Sequence, residues 1–173
     1  MSSDIACKLA RNAGIAMILA SAAFLSACQV RPLYSENSGL IEKLAAVGFS
    51  PAGSRIEQQV RNHLIFMASR GAGEPEKPDY QVDLHVTSSV ADTLLTDSAD
   101  TSRAGRVTVS VTYTLRAATD NHVIKAGSRS TTALVDFPDQ EFAKQRAIRD
   151  AQNRAADQVA EFVGADIAAA LSR

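Results

Sequence analysis

The run from Arg106 to Arg116 constrains the fold most. Val107, Val109, Val111, Tyr113 and Leu115 alternate without a break with Arg106, Thr108, Ser110, Thr112, Thr114 and Arg116. Side chains of a strand project to opposite faces in turn, so a period of two over this length specifies a strand with one buried and one wet face. Tyr80, Val82, Leu84 and Val86 alternate in the same way with Gln81, Asp83, His85 and Thr87 and predict a partner strand. Asp120-Asn121-His122 turns the chain into a third partner over 123–135, where Gly127 is expected to mark a bulge.

The residues before and after this core supply helices. Ser54 and Glu57 have the spacing of a capping box, with Ser54 capping a backbone N–H and Glu57 reaching back to the N–H of Ser54. Ile56, Val60, Leu64 and Met67 or Ala68 follow at helical spacing, and the helix is expected to stop near Gly71. Asp139 is expected to cap a long C-terminal helix with Ile148, Ala151, Ala155, Val159, Phe162, Val163 and Ile167 on its inner face. Residues 44–49 (LAAVGF), ahead of the Pro51-Ala52-Gly53 turn, predict a first strand. The order β-α-β-β-β-α predicts a single α+β domain, a roughly four-stranded mixed sheet with two helices packed on one face. Alternating strands leave the other face, lined by Thr, Ser and Arg, to water or to a polar partner.

The first 28 residues have a different character. Lys8 and Arg11 precede an apolar run over 13–25 (AGIAMILASAAFL) that falls short of the roughly 20 residues a hydrocarbon core requires. A basic start, a short apolar stretch and small residues after it describe a secretory signal over 1–27. Leu25-Ser26-Ala27-Cys28 resembles the bacterial lipobox. The resemblance implies diacylglycerol on the Cys28 sulfur, cleavage before Cys28 and acylation of the new amine. A thiolate is the strong nucleophile this chemistry requires. Three acyl chains exceed the two signals needed for stable anchoring. Gln29, where inner-membrane retention favours Asp, implies the outer membrane.

Of the chain's 173 residues, cleavage would leave 146, enough for a core without staples. It would remove Lys8, Arg11 and Asp4 from 18 basic and 19 acidic residues, leaving 16 and 18, and it would leave Cys28 as the one cysteine, so no internal disulfide is expected. A tether over 28–39 would lead into a folded domain over 40–173. This near-neutral charge and the nine aromatic residues, none of them Trp, argue against a nucleic-acid partner.

Catalytic and metal signatures are missing. There is no G-x-S-x-G or H-E-x-x-H, and Gly71-Ala72-Gly73 has neither the lysine nor the hydroxyl of a P-loop. His63, His85 and His122 lack metal-ligand spacing, and Asp92, Asp97 and Asp100 lack the alternation of a calcium loop. Arg146, Asp150 and Arg154 stand at i,i+4 spacings that surface helix pairing explains. The chain is expected to be neither an enzyme nor a carrier of any cofactor beyond the lipid on Cys28.

Cys28-Gln29-Val30-Arg31-Pro32-Leu33-Tyr34 is similar to the start of mature members of the LptE family of lipopolysaccharide-assembly lipoproteins. Phe49-Ser50-Pro51-Ala52-Gly53-Ser54-Arg55 with Val60-Arg61-Asn62-His63-Leu64 resembles the family's first strand and helix. Ala104-Gly105-Arg106-Val107-Thr108, Tyr113-Thr114-Leu115 and Glu141-Phe142-Ala143 resemble the alphaproteobacterial branch. The resemblance implies a plug inside an LptD-type outer-membrane β-barrel that supports lipopolysaccharide insertion into the outer leaflet and binds lipopolysaccharide. Arg103, Arg106, Arg116, Lys125 and Arg129, on the strands or their ends, are the candidate contacts for its acidic groups or for the barrel lumen. The competing reading is an unrelated lipid-anchored scaffold or binding module of the cell envelope.

Overall fold

The computed structural model describes residues 39–92 and 103–172, all within one compact unit. The expected signal over 1–27, the Cys28 anchor and nearly all of the 28–39 tether lie outside the described residues, as does most of the polar stretch over 97–103.

Three long strands carry the fold: β2 (Tyr80–Asp92), β3 (Arg103–Ala117) and β4 (Val123–Phe137), joined as an antiparallel meander. A short β1 (Val47–Phe49) lies parallel to β2 at the other edge, giving the order β1-β2-β3-β4. In register, Val82 faces Leu115, Leu84 faces Tyr113 and Val86 faces Val111. All six are buried, with the β3 members at or below 1% exposure, so the alternation read from sequence is the alternation of the folded strand. The β3–β4 turn also forms as expected. Asn121 takes a left-handed φ of 61°, and Asp120 accepts the His122 N–H at 3.0 Å.

Helix α2 (Arg55–Ser69) and helix α3 (Glu141–Leu171) cover the apolar face of the sheet. Ser54 Oγ accepts the Glu57 N–H at 3.2 Å. The reciprocal bond differs from the expected box, because the Glu57 carboxylate takes the N–H of Gly53 rather than that of Ser54. At the other end Arg70 (φ 53°) and Gly71 (φ 86°) turn left-handed and the Gly71 N–H returns to the Phe66 carbonyl, a Schellman-type stop. Helix α3 is about 46 Å long at 1.5 Å per residue. Its buried stripe is mostly alanine (Ala151, Ala155, Ala156, Ala160, Ala168) with Val159, Val163 and Ile167 between. Small side chains bring the helix axis close to the sheet, and burial runs from Ala151 to Leu171, the C-terminal two thirds of the helix.

Four expectations are corrected. Leu44 and Ala45 end a short helix α1 (Leu40–Ala45) instead of opening the first strand, which is only Val47–Phe49. Leu40 and Leu44 stand one turn apart on the same side of this helix and are both buried. The cap of α3 is Gln140, without a side-chain bond, so Asp139 does not cap it. Phe162 is 44% exposed and leaves the inner face. The register shift of β4 falls opposite Leu115 and Arg116, where Ile124 is the extra residue, so Gly127 marks no bulge. Gly127 instead faces Tyr113, whose phenolic oxygen would stand 2.7 Å from any Cβ there.

Candidate functional site

The uncovered face of the sheet is a plane of hydroxyls. Across three strands the register aligns Thr87 with Ser110 and Ser130, and Ser89 with Thr108 and Thr132. His85, Thr112 and Ser128 form the row beside them. The Thr108 and Thr132 hydroxyls meet at 3.1 Å. Each hydroxyl both donates and accepts, so this surface satisfies water or a polar partner in any orientation. On the described strands charge lies toward the ends of the plane, where Asp136 also stands, in register with Ala104. Arg116 donates to Asp83 at 3.3 Å at one end, and Arg106 lies level with Ala91 and the 73%-exposed Leu134 at the other.

The five cations singled out by sequence do not form one cluster. Arg106 and Arg116 stand on the open face, ten positions apart on β3 and so about 33 Å by strand rise. Lys125 and Arg129 face the other way. Lys125 is in register with Leu115 and Arg129 with Val111, both core residues, so these two cations stand on the helix side of β4. Arg103 is in register with Phe137, and its side chain lies outside the described residues.

Arg129 instead builds a site at the seam between β4 and α3. Its guanidinium grips Asp166 in a fork, with Nε and Nη2 each 2.7 Å from a carboxylate oxygen. Tyr113 adds its hydroxyl to the same carboxylate at 2.7 Å. The guanidinium holds the Asp166 carboxyl below its ordinary range, and the phenol and Lys125 act in the same direction against the cost of burial. Burial raises the Tyr113 phenol, and the bond to Asp166 raises it further. The Asp166 bond likewise raises Arg129. The result is a fixed fork–fork pair that locks α3 to the edge strand. Sequence reasoning missed Asp166 because its partners are 37 and 53 residues away, and no local pattern marks such a contact.

A second feature is an apolar cavity of about 300 Å³ among α1, α2 and α3, lined by Leu44, Phe49, Leu64, Met67 and Ile167, with Glu161 as its charged residue. Among the described residues no group of three His, Cys, Asp or Glu side chains is placed to hold a metal, and no helix is long and apolar enough to cross a membrane.

This architecture has known counterparts. A protein from Caulobacter crescentus CB15, described as a lipoprotein, superposes with a TM-score of 0.62 at 21% identity, over 78% of this chain and 96% of its own. A minor lipoprotein from Acinetobacter baumannii superposes at 0.52 with 12% identity, over 71% of this chain and 88% of its own. At these identities the likeness is one of fold. No curated protein sequence matches the chain. The model of the LptE family, described as lipopolysaccharide-assembly, matches residues 41–162, from α1 well into α3. The chain therefore belongs to the LptE family of lipopolysaccharide-assembly proteins.

Proposed function

We propose that the protein is an outer-membrane lipoprotein, anchored through acyl chains on Cys28, that sits in the lumen of an LptD-type β-barrel. From there it supports insertion of lipopolysaccharide into the outer leaflet and contacts the lipopolysaccharide directly. The observation that carries this reading is the bare hydroxyl plane over β2, β3 and β4 in a chain of this family. The interior of a large outer-membrane barrel is polar and water-filled, and a plug within it needs a polar surface rather than an apolar one. Arg106 and Arg116, at the two ends of that plane, are the cations placed to meet acidic groups of the glycolipid. A scaffold unrelated to lipopolysaccharide assembly does not fit a chain of this family.

The reading is tested by isolating the tagged full chain from separated inner and outer membranes. The expected result is an outer-membrane protein that brings down one large β-barrel in equimolar amount, with lipopolysaccharide in the complex. Recovery in the inner membrane, or in the outer membrane without a barrel, overturns it.

A further inference from the structure

Among the described residues β4 is the last strand of the sheet, and its outer edge carries backbone groups that no other described strand meets. Two contacts fix their direction. The Leu134 carbonyl accepts from Arg154 at 3.0 Å, so it points away from β3. The 3.1 Å approach of the Thr108 and Thr132 hydroxyls is the closeness of a pair whose N–H and C=O groups point away from each other. Strand alternation then turns the N–H and C=O groups of Ala126, Ser128, Ser130 and Thr132 outward as well.

Both ends of this stretch are closed. The register shift at Ile124 interrupts the strand before Ala126, and Arg154 occupies the carbonyl beyond Thr132. Among the described residues no proline, bulge or covering side-chain bond closes the edge between them, and the guards present are charges, Arg129 with Lys125 beside it, which oppose a like-charged strand and not an acidic one. The opposite edge of the sheet is protected at its start. There β1 pairs with Tyr80, Gln81 and Val82, and Ser50 takes the Val82 carbonyl and the Leu84 N–H at 2.9 Å each.

We infer that residues 126–132 of β4 are a strand-addition site for an extended segment of a different polypeptide, with apolar and acidic side chains on its α3-facing side. A strand laid here would alternate its side chains between the hydroxyl plane and the seam with α3. On the seam side it meets a cleft lined by Arg129, Phe162, Ala165 and Asp166, where the half-exposed Phe162 ring suits an apolar side chain. Next to it stands Lys125, which makes no ion pair among the described residues and suits a carboxylate. A second copy of this chain fits poorly. The seam-facing residues of β4 are Lys125, Gly127, Arg129, Thr131, Ala133 and Val135, so self-pairing gathers four cations and no acid on one side. This inference stands whether or not the barrel reading holds.

The test uses the full chain in detergent and a synthetic peptide of about seven residues, a typical strand length, with threonine on one face and valine and glutamate on the other. The expected result is that peptide at up to millimolar concentration slows amide exchange at Ala126, Ser128, Ser130 and Thr132 by about tenfold or more. The same peptide methylated on its edge-facing amides should not bind, and one with lysine for glutamate should bind at least tenfold more weakly. Ser130→Pro removes an outward N–H while sparing the inner ladder, so this variant should melt near wild type and lose the peptide. Unchanged exchange at millimolar peptide overturns the inference, and so does equal binding of the methylated peptide. Protection of the four amides without peptide also overturns it. At every protein concentration such protection assigns the edge to a segment of this chain, and only at high concentration it assigns it to a second copy.

Discussion

Tyr113 and Gly127 face each other across the β3–β4 ladder, and a Cβ at residue 127 would lie 2.7 Å from the phenolic oxygen and 2.9 Å from the ring carbon that bears it. The glycine is the space in which the tyrosine ring lies flat enough to reach Asp166 on α3. Gly127→Ala therefore displaces a side chain that is 1% exposed and costs about 1–3 kcal/mol, the usual range for overpacking. Gly53→Ala is the control, because the nearest atom to its Cβ is 3.6 Å away, and its cost should stay within about 0.5 kcal/mol. Urea midpoints of the two variants measure the difference.

Asp166 gives the fold a dependence on acid. The carboxyl is held below its ordinary range chiefly by the bond from Arg129, so the folded chain binds fewer protons here than the unfolded chain once the pH nears the unfolded value of about 3.9. The contribution is complete above that value and is lost as pH falls through the depressed folded value. Asp166→Ala, which leaves the buried Tyr113 hydroxyl without its partner, should cost about 1–3 kcal/mol near neutral pH. The gap between wild type and variant should narrow as denaturation is followed to lower pH below 4. A gap that stays constant to pH 2 would remove Asp166 from the acid response.

What could be read from sequence follows the strength of each local pattern. β3 was legible because every second residue is apolar, and the buried row contains those residues. β4 has no such phase. Its helix side carries Lys125, Gly127, Arg129 and Thr131, polar or small residues that resemble those of its open side. The orientation of Lys125 and Arg129 is set by the ladder and the shift at Ile124, and hydropathy alone could not assign it. Helix α1 was missed for a related reason, since one turn with two leucines is too short to establish a period. The exposure of Phe162 reflects how far the helix stripe has narrowed to alanines, which a residue-type rule does not anticipate.

The strand phase itself can be tested at adjacent positions. Val111 is fully buried, whereas Ser110 stands on the open face in register with Thr87 and Ser130. Val111→Asp places an unpaired charge in the apolar layer and should cost several kcal/mol or prevent folding. Ser110→Asp should leave the thermal midpoint within a few degrees of wild type. Equal loss from the two variants would contradict the register.

The anchor proposal is decided by labelling. Cys28→Ala removes the one thiol of the lipobox-like segment, so cells fed a labelled fatty acid should produce an unlabelled variant that stays unprocessed or leaves the membrane fraction. Retained label on the variant would sink the lipoprotein assignment for Cys28.

The open face is tested by reversing its charge at the two positions that the sheet places there. Arg106→Glu with Arg116→Glu changes both ends of the hydroxyl plane, while Arg146→Glu with Arg149→Glu makes the same change in net charge on the exposed surface of α3. Exposed substitutions usually fall within about 0.5 kcal/mol each, so both double variants should remain folded, although Arg116 also gives up its 3.3 Å contact with Asp83. If the face lies against a barrel wall or an anionic glycolipid, the first pair replaces attraction with repulsion. Each such contact should be worth about 1–3 kcal/mol where it is partly desolvated. Barrel or lipopolysaccharide recovered with the first variant should then fall at least tenfold, and the difference from wild type should widen as salt is lowered, because screening weakens both attraction and repulsion. The α3 pair should lose little. An equal loss from both pairs would assign the effect to net charge and remove the open sheet face from the proposed contact.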